Sequence, residues 1–199
     1  MKSAKATILG LSIIVMMTAA APFTCAQAAR VRWDIISVNF VASTVAAGGM
    51  ASATANDGSY ITMTGSGTFV APGGGDGTSS AVTGGGNWIT YTPGGVATGS
   101  GTYQATGLVR WAPAPYTPGA PPPLTDLIEP SEVQSTGLAV LRISYSDGQF
   151  GILVVSCTGS TAPAFMFEGI TATKQFKDYK SPVPPVPGVN GNRTLFHIE

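Results

Sequence analysis

The sequence predicts an all-β protein, folded as a single antiparallel barrel of about eight strands, with a two-sheet β-sandwich as the alternative. Three observations support this prediction. No window after residue 30 keeps apolar residues at helical spacing for three turns, whereas alternation with a period of two recurs between turn signals. No strand–helix–strand pattern indicates a parallel sheet. Glycine, threonine, serine and alanine dominate a sparsely charged chain, which is typical of exported β proteins.

Residues 1–28 have the features of a cleaved secretory signal peptide. A basic start precedes a mostly apolar run and an A-x-A cleavage site at Ala26-Gln27-Ala28. The run is shorter than the ~20 residues that span a bilayer. Cleavage there, or after Ala26 as the alternative, removes Cys25 and leaves Cys157 without a partner for an intramolecular disulfide. The sequence therefore predicts an exported protein, periplasmic or extracellular, with no stable membrane anchor after cleavage.

The remaining chain, residues 29–199, is predicted to form one β domain whose strands follow in order. The stretch WDIISVNFVASTV at 33–45 is rich in β-branched and aromatic residues, which favour strands. Asn56-Asp57-Gly58 marks a turn between a short strand at 50–55 and a longer one at 59–69. Apart from the hairpin described next, the other strand candidates are GNWITYT at 86–92, GTYQATGLVRW at 101–111, residues 165–175 and residues 193–198.

The clearest hairpin is LRISYSDGQFGILVV at 141–155, because Asp147-Gly148 can adopt the positive φ angles of a type I′ turn. Pairing outward from this turn predicts one core face, made by Tyr145 with Phe150, Ile143 with Ile152 and Leu141 with Val154. Cys157 then falls on the opposite face, at its apolar end. We expect a packed and unreactive thiol there, because burial raises the pKa of a thiol.

A repeated unit, T-G-S-G-T-[FY] followed by T-G-x-x-x-W, occupies residues 64–88 and 98–111. Neither copy has the third glycine, the lysine or the following helix that a nucleotide-binding loop requires. We therefore expect glycines that allow close approach of strands, as at bulges and barrel corners. A glycine loop at 70–82 interrupts the first copy. In the second copy, unbroken alternation predicts a half-buried strand with one face formed by Tyr103, Ala105, Gly107, Val109 and Trp111.

Two proline-rich segments separate the strands. The insert at 112–136 contains APAPYTPGAPPP, which cannot donate a ladder of hydrogen bonds, and its residues 125–129 could form one helical turn. Ordered connections of this length often carry or cover a site, so we expect the insert to cover any pocket. The second segment, SPVPPVPG at 181–188, is predicted to be a stiff crossover before the last strand.

Few residues offer catalytic, metal-binding or nucleic-acid-binding chemistry. His197 is the only histidine and no G-x-S-x-G elbow accompanies it, so we predict a structural or surface role. One histidine and one thiol do not build a zinc site, and no metal or other cofactor is predicted. The carboxylates show no paired arrangement that would indicate acid–base catalysis. After residue 28, eight Lys and Arg residues balance ten Asp and Glu residues, which offers no basic face to nucleic acid.

Aromatic side chains provide the predicted binding chemistry, because rings stack on sugars or close over apolar ligands. The candidate ligand-binding residues are Tyr103, Trp111, Trp88, Tyr91 and Arg110. Aromatic residues in strands are more often core, and the interior of a small barrel can be packed or hollow. The leading hypothesis is an exported, non-enzymatic protein that holds a small apolar or sugar-like ligand in a barrel mouth. The alternatives are a barrel enzyme of the cyclase or isomerase type and a structural or surface-interaction protein, with the oligomeric state open.

The motifs GSGTF with TGGGNW, GSGTYQATGLVRW, LRISYSDGQFGILVVSC, FEGITATK and NRTLFH together resemble small exported bacterial β-rich proteins of no assigned activity. The resemblance covers most of the chain after the predicted signal peptide and implies no catalytic residues. The glycine-containing strand GTYQATG is also similar to strands of barrels of the allene oxide cyclase and dirigent type. That local resemblance implies a barrel and, as the enzymatic alternative, a pocket that shapes a reactive substrate.

Overall fold

The computed structural model describes residues 28–72, 77–114, 124–159, 162–183 and 192–199. These residues form fourteen β strands and no helix, which confirms the all-β prediction. The strands are β1 (Ala29–Asn39), β2 (Thr44–Ala47), β3 (Ala51–Thr54), β4 (Tyr60–Met63), β5 (Ser66–Ala71), β6 (Gly85–Tyr91), β7 (Ala97–Ala114), β8 (Thr125–Asp126), β9 (Val133–Tyr145), β10 (Phe150–Cys157), β11 (Gly169–Lys174), β12 (Lys177–Tyr179), β13 (Ser181–Pro182) and β14 (Arg193–Ile198).

Six of these strands close into an antiparallel barrel, which confirms the predicted architecture. The order around the ring is β1, β5, β6, β7, β9 and β14, which pairs again with β1. Two arms extend from the ring: β10, β11 and β12 continue from β9, and β4, β3 and β13 continue from β6. The arms meet where β11 lies beside β3. The ring is smaller than the predicted eight strands because six strands belong to the arms, while β2 and β8 pair beside β1 outside the ring.

Large aromatic side chains fill the barrel. Trp33, Phe69 and Phe196 are fully buried, and Tyr103 and Trp111 are nearly so. The ring centroids of Phe69 and Trp111 lie 5.4 Å apart, and those of Trp111 and Phe196 lie 4.7 Å apart. The interior formed by the described residues is thus a packed core, so a ligand site has to lie at an end or on an outer face of the barrel.

The glycines of the repeated unit bring three ring strands into close approach, as the sequence predicts. A Cβ added at Gly67 would overlap the carbonyl oxygen of Thr83, and one added at Gly85 would overlap that of Tyr103. Gly84 has a φ angle of 96°, a conformation that side-chain-bearing residues rarely adopt. The repeat therefore builds the part of the ring formed by β5, β6 and β7, and its glycines serve the architecture.

The register of the β9–β10 hairpin differs by one residue from the type I′ prediction. The N–H of Tyr145 donates to the carbonyl oxygen of Gln149, so the turn has three residues, and Gly148 but not Asp147 has a positive φ. Such a turn contains a bulge. A slip of one residue turns a strand over, so the core prediction for β10 was wrong. The outward residues are Phe150, Ile152 and Val154, and the buried ones are Leu153, Val155 and Cys157. Burial of Cys157, with a raised thiol pKa, is confirmed.

Two bulges interrupt the predicted alternation of β7. Its pairing with β9 skips Thr106 and then Val109. Each extra residue reverses the alternation locally. Tyr103 and Trp111 are buried as predicted, but Leu108 is buried in place of Val109. The prediction of one unbroken face was therefore wrong in the middle of the strand and right at its two ends.

The insert predicted at 112–136 is partly strand. β7 extends to Ala114, β9 begins at Val133, and residues 115–123 lie outside the described residues. The helical turn predicted at 125–129 is wrong, because Thr125 and Asp126 form β8, parallel to β2. The N–H of Thr125 donates to the carbonyl oxygen of Ser43 at 2.7 Å, which gives this backbone a sheet partner instead of a helical one.

Of the remaining predicted segments, some lie only partly within the described residues. A turn at 40–43 divides the strand predicted at 33–45 into β1 and β2. The crossover predicted at 181–188 begins as β13, and its residues from 184 onward lie outside the described residues. Residues 1–27 of the predicted signal peptide also lie outside them.

Candidate functional site

The five residues predicted to bind ligand do not form one site. Trp88, Tyr103 and Trp111 belong to the core, each with 3% or less of its surface exposed. Tyr91 stacks on a neighbouring tyrosine, with ring centroids 4.6 Å apart. Arg110 lines a groove on the outside of the barrel. One of the five, Trp88, forms part of a polar cavity that is the strongest candidate site.

The cavity has a volume of about 350 Å³ and opens at the end of the core, between β6 and β7 on one side and β11 and β12 on the other. We call it the mouth. It is lined by Trp88, Thr90, Thr98, Gly99, Asp147, Gln149, Lys174, Lys177 and Tyr179. The indole of Trp88 meets Tyr145 edge-on, with ring centroids 5.6 Å apart, so the floor of the mouth is continuous with the core.

Strand alternation and one bulge direct the side chains of β6 and β7 into the mouth. Trp88 and Thr90 are two residues apart on β6 and so share a face. Thr98 is the extra residue where the pairing of β7 with β6 slips, and its hydroxyl oxygen lies 2.9 Å from that of Thr90. Gly99, from the second glycine repeat, would bring a Cβ to 3.4 Å from the Trp88 ring. Gly101 of the same repeat is the tighter position: a Cβ there would overlap Oγ of Ser146 and come to 3.1 Å from Nε1 of Trp88, so the repeat lets β7 lie close to the indole.

Lys174 is the central polar group of the mouth. Its side chain is only 8% exposed, and its ammonium donates to Oδ2 of Asp147 and, at 2.6 Å, to Oε1 of Gln149. The same nitrogen lies 4.3 Å from the centroid of the Trp88 ring and 4.9 Å from that of Tyr145. A buried ammonium requires such partners, because removing an unpaired charge from water costs several kcal/mol.

The β9–β10 turn holds both oxygen partners of Lys174 in place. The N–H of Ser146 donates to the carbonyl oxygen of Thr102 at 2.8 Å, and the Ser146 hydroxyl accepts from the N–H of Thr102 at 3.0 Å. The N–H of Gln149 donates to Oδ1 of Asp147 at 3.3 Å. The turn is therefore fastened to β7 on one side and to Lys174 on the other, so contacts within the protein hold the shape of the mouth.

A second ion pair lies at the rim. The ammonium of Lys177 donates to Oδ2 of Asp57 at 2.7 Å and to the hydroxyl of Ser59 at 3.0 Å. The hydrogen bond with Asp57 raises the pKa of Lys177. Burial raises the pKa of Tyr179, which lies beside this pair in the lining. The rim therefore presents a paired ammonium and a neutral phenol at neutral pH.

The charge of Asp147 follows from its contact with Lys174. Burial alone would raise the pKa of the Asp147 carboxyl, but the hydrogen bond and the positive charge of Lys174 outweigh burial and lower this pKa. The Asp147 carboxyl is therefore ionised at neutral pH, and its formal charge offsets that of the ammonium it binds.

The sequence contained a sign of Lys174 that our prediction did not use. Strand alternation in GITATK places Ile170, Ala172 and Lys174 on one face, and the first two are buried apolar residues. A lysine at the end of an inward-facing row indicates a polar site at the end of the core. The sequence around Asp147 and Gln149 did not indicate that they lie beside Lys174, because the direction of their side chains depends on the register of the β9–β10 turn.

Arg110 lies in a second cavity, a groove of about 280 Å³ on the outside of β7 and β9. The rest of its lining is apolar and consists of Ala112, Pro113, Ala114, Leu138, Pro163, Phe165 and Met166. The groove adjoins the start of the predicted insert, where the sequence predicts a cover. The residues of the insert that would test this prediction, 115–123, lie outside the described part of the chain.

His197 has a buried, structural position. Its Nε2–H donates to Oδ2 of Asp126 at 2.5 Å. We call residues 124–132, which contain Asp126, the strap. The guanidinium of Arg32 binds Asp34 on its own strand and Glu129 of the strap, the latter at 2.8 Å. These contacts fasten the strap to the outer face of β1 and β14. None of the residues that make them lines the mouth.

The fold and the mouth together define the class: a small all-β barrel with a preformed, polar cavity at one end. Among the described residues no group of three or more His, Cys, Asp or Glu side chains is arranged to hold a metal ion. Nor does the described part of the chain contain a helix long and apolar enough to cross a membrane. Comparisons of the chain with protein-family models, with curated proteins and with solved structures find no match.

Proposed function

We propose that the protein is an exported, non-enzymatic binding protein that holds a small apolar or sugar-like ligand in the mouth of its barrel. The observation that carries the proposal is the fixed frame around Lys174. Asp147, Gln149 and Trp88 hold this lysine beside an open cavity. Preformed polar groups in a concave site favour binding, because little conformational entropy is lost when the ligand arrives.

An enzyme of the cyclase or isomerase type is the alternative. General acid–base catalysis needs a group that can exchange a proton with the substrate. In the mouth, Lys174 and Asp147 bind each other, and the hydroxyls of Thr90 and Thr98 bind each other. These internal pairings favour recognition of a ligand over its turnover.

The outer groove at Arg110 is a second candidate location. Its lining, apolar except for the arginine, favours an apolar ligand over a sugar-like one. The third hypothesis, a structural or surface-interaction protein, draws support from the exposed Phe150 and Phe176 near the β9–β10 and β11–β12 turns. Stable self-association without ligand uptake would favour it.

Export is supported by features on both sides of the predicted cleavage site. The basic start, the apolar run and the A-x-A site precede residue 29. Ala29, the predicted first residue of the mature chain, is also the first residue of β1. Cleavage after Ala28 would thus leave the whole of β1 in the mature protein.

Native mass spectrometry of the exported protein tests the binding function. We expect a small molecule to co-purify with the wild-type protein and with Thr106→Trp, and to be lost from Thr98→Trp. Both threonines are exposed on β7, but only Thr98 lines the mouth, so the new indole at 98 fills the cavity. Retention by Thr98→Trp would show that the molecule binds outside the mouth, at the Arg110 groove or at the cavity beside Tyr103. Absence of any bound molecule from the wild type would count against a binding protein.

A further inference from the structure

We infer that the ligand of the mouth is an uncharged, polyhydroxylated molecule of the sugar class. This inference rests on the proposed binding function and selects between the two ligand classes that the sequence left open. Three properties of the mouth support it: cancelled charge, a mixed supply of hydrogen-bond donors and acceptors, and an aromatic floor.

The charges of the mouth cancel in pairs. Lys174 is paired with Asp147, and Lys177 with Asp57. A charged ligand would bring an ion into a cavity whose own ions already have partners. It would either lose its hydration without compensation or break one of the pairs, and both cost free energy. An uncharged ligand avoids this cost.

The polar groups of the mouth match hydroxyl groups. An ammonium has three donors, of which Lys174 uses two on Asp147 and Gln149. The amide of Gln149 accepts from Lys174 through its oxygen and keeps its own N–H donors. The hydroxyls of Thr90, Thr98 and Tyr179 can each donate and accept. A sugar hydroxyl also donates and accepts, so neighbouring hydroxyls on one ring can use such a mixture.

The floor of the mouth adds an apolar surface of limited size. The indole of Trp88 is held by its Nε1–H, which donates to the carbonyl oxygen of Thr102 at 3.1 Å, and it lies against Gly99. Only 3% of Trp88 is exposed and Lys174 lies over its ring, so a sugar would contact the floor through a few C–H groups and present its hydroxyls to the surrounding walls. A purely apolar ligand would cover Lys174 and Gln149 without offering hydrogen bonds to their remaining N–H donors, and donors left unsatisfied in this way weaken binding.

Titration of the full mature protein with one sugar ring in three charge states tests the inference. The probes are methyl glucoside, glucuronate and glucosamine, with methyl galactoside and methyl mannoside as further neutral rings and toluene as the apolar probe. The readout is the indole N–H resonances of the three tryptophans, of which only Trp88 lines the mouth. Trp33 and Trp111 serve as internal references for effects elsewhere.

We expect at least one neutral glycoside to shift the Trp88 resonance with saturation, and the charged ring of the same type to bind about tenfold or more weakly. Thr98→Trp should abolish the shift and Thr106→Trp, which changes an exposed β7 residue outside the mouth, should keep it. Equal binding of the charged rings would overturn the argument from charge. Saturable binding of toluene, with none of the neutral sugars, would overturn the sugar class and leave the binding function standing. Absence of any saturable shift, with no co-purifying molecule, would overturn both.

Discussion

At the scale of single residues, Lys174 explains why a site forms at this end of the core. The inward face of β11 begins with apolar residues, and a lysine there breaks the pattern that packing alone would favour. The free-energy cost of burying its ammonium is offset by contacts with Asp147, with Gln149 and with two aromatic rings. Residues that break a local packing rule in this way are expected mainly at functional or strained sites.

The glycine repeat gives a residue-scale prediction about stability. Gly67→Ala should destabilise the protein by about 2–3 kcal/mol, because the new methyl group would overlap the carbonyl oxygen of Thr83 and force β5 away from the neighbouring chain. Gly94→Ala is the matched control, since the nearest atom to its Cβ, Oγ1 of Thr92, is 3.8 Å away. Urea unfolding of both variants measures the difference. Equal stabilities would show that the repeat does not need its glycines for close approach.

At the scale of elements, the β9–β10 hairpin shows what a single bulge changes. The sequence placed Phe150 on the core face, whereas the three-residue turn places it outside, 73% exposed, and buries Leu153 completely. Leu153→Ala should therefore cost about 2–4 kcal/mol, because it leaves a cavity in the core. Phe150→Ala should change the free energy of unfolding by less than about 0.5 kcal/mol. If urea unfolding showed that Phe150→Ala destabilises the protein more than Leu153→Ala does, the type I′ register would be the correct one.

The strap gives an element-scale prediction about pH. Burial alone would raise the pKa of Asp126, but the hydrogen bonds from His197, from the N–H of Ile128 and from Gln134 outweigh burial and lower it below its ordinary value. A lowered carboxyl pKa stabilises the fold above the unfolded pKa, and this contribution disappears as the pH falls through the folded pKa. At pH 7, Asp126→Asn should therefore be less stable than wild type by about 1–3 kcal/mol.

The same variant tests the pH window. The unfolded pKa of an aspartate is near 3.8, so the difference between wild type and Asp126→Asn should be complete above about pH 5 and shrink steadily below about pH 4. Comparing the two proteins at each pH removes the effects of the other carboxylates. A constant difference down to pH 2 would mean that the Asp126–His197 contact does not fasten the strap through charge.

At the scale of the whole molecule, composition and periodicity were sufficient for the fold class and the barrel, because alternation along each strand reports which faces are buried. They were not sufficient for the size of the ring. Whether a strand closes the ring or joins an arm depends on long-range pairing, as where β9 pairs with β7 on one edge and with β10 and β14 on the other. Local sequence does not encode this choice.

The candidate site was less predictable than the fold for the same reason. The mouth combines β6 and β7, the β9–β10 turn, β11 and β12, which lie far apart in the chain. Trp88 was predicted to bind ligand because it is an aromatic residue in a predicted strand, which can be recognised without knowing the tertiary structure. Lys174 and its partners come together only when the arm folds back on the ring, and the predicted residues Tyr103 and Trp111 were used by the core instead.

A ring with two arms predicts uneven stability across the molecule. β9 has hydrogen-bonded neighbours on both edges along most of its length, so its amides should exchange with solvent only when the whole protein unfolds. β12 and β13 have three and two residues and stand at the ends of the arms, where local opening breaks few contacts. Hydrogen exchange followed by NMR should give protection factors at least about tenfold lower for β12 and for Ser181, the one residue of β13 with an amide N–H, than for β9. Equal protection in all three strands would mean that the arms unfold only with the ring, and that the frame around Lys174 is as stable as the barrel itself.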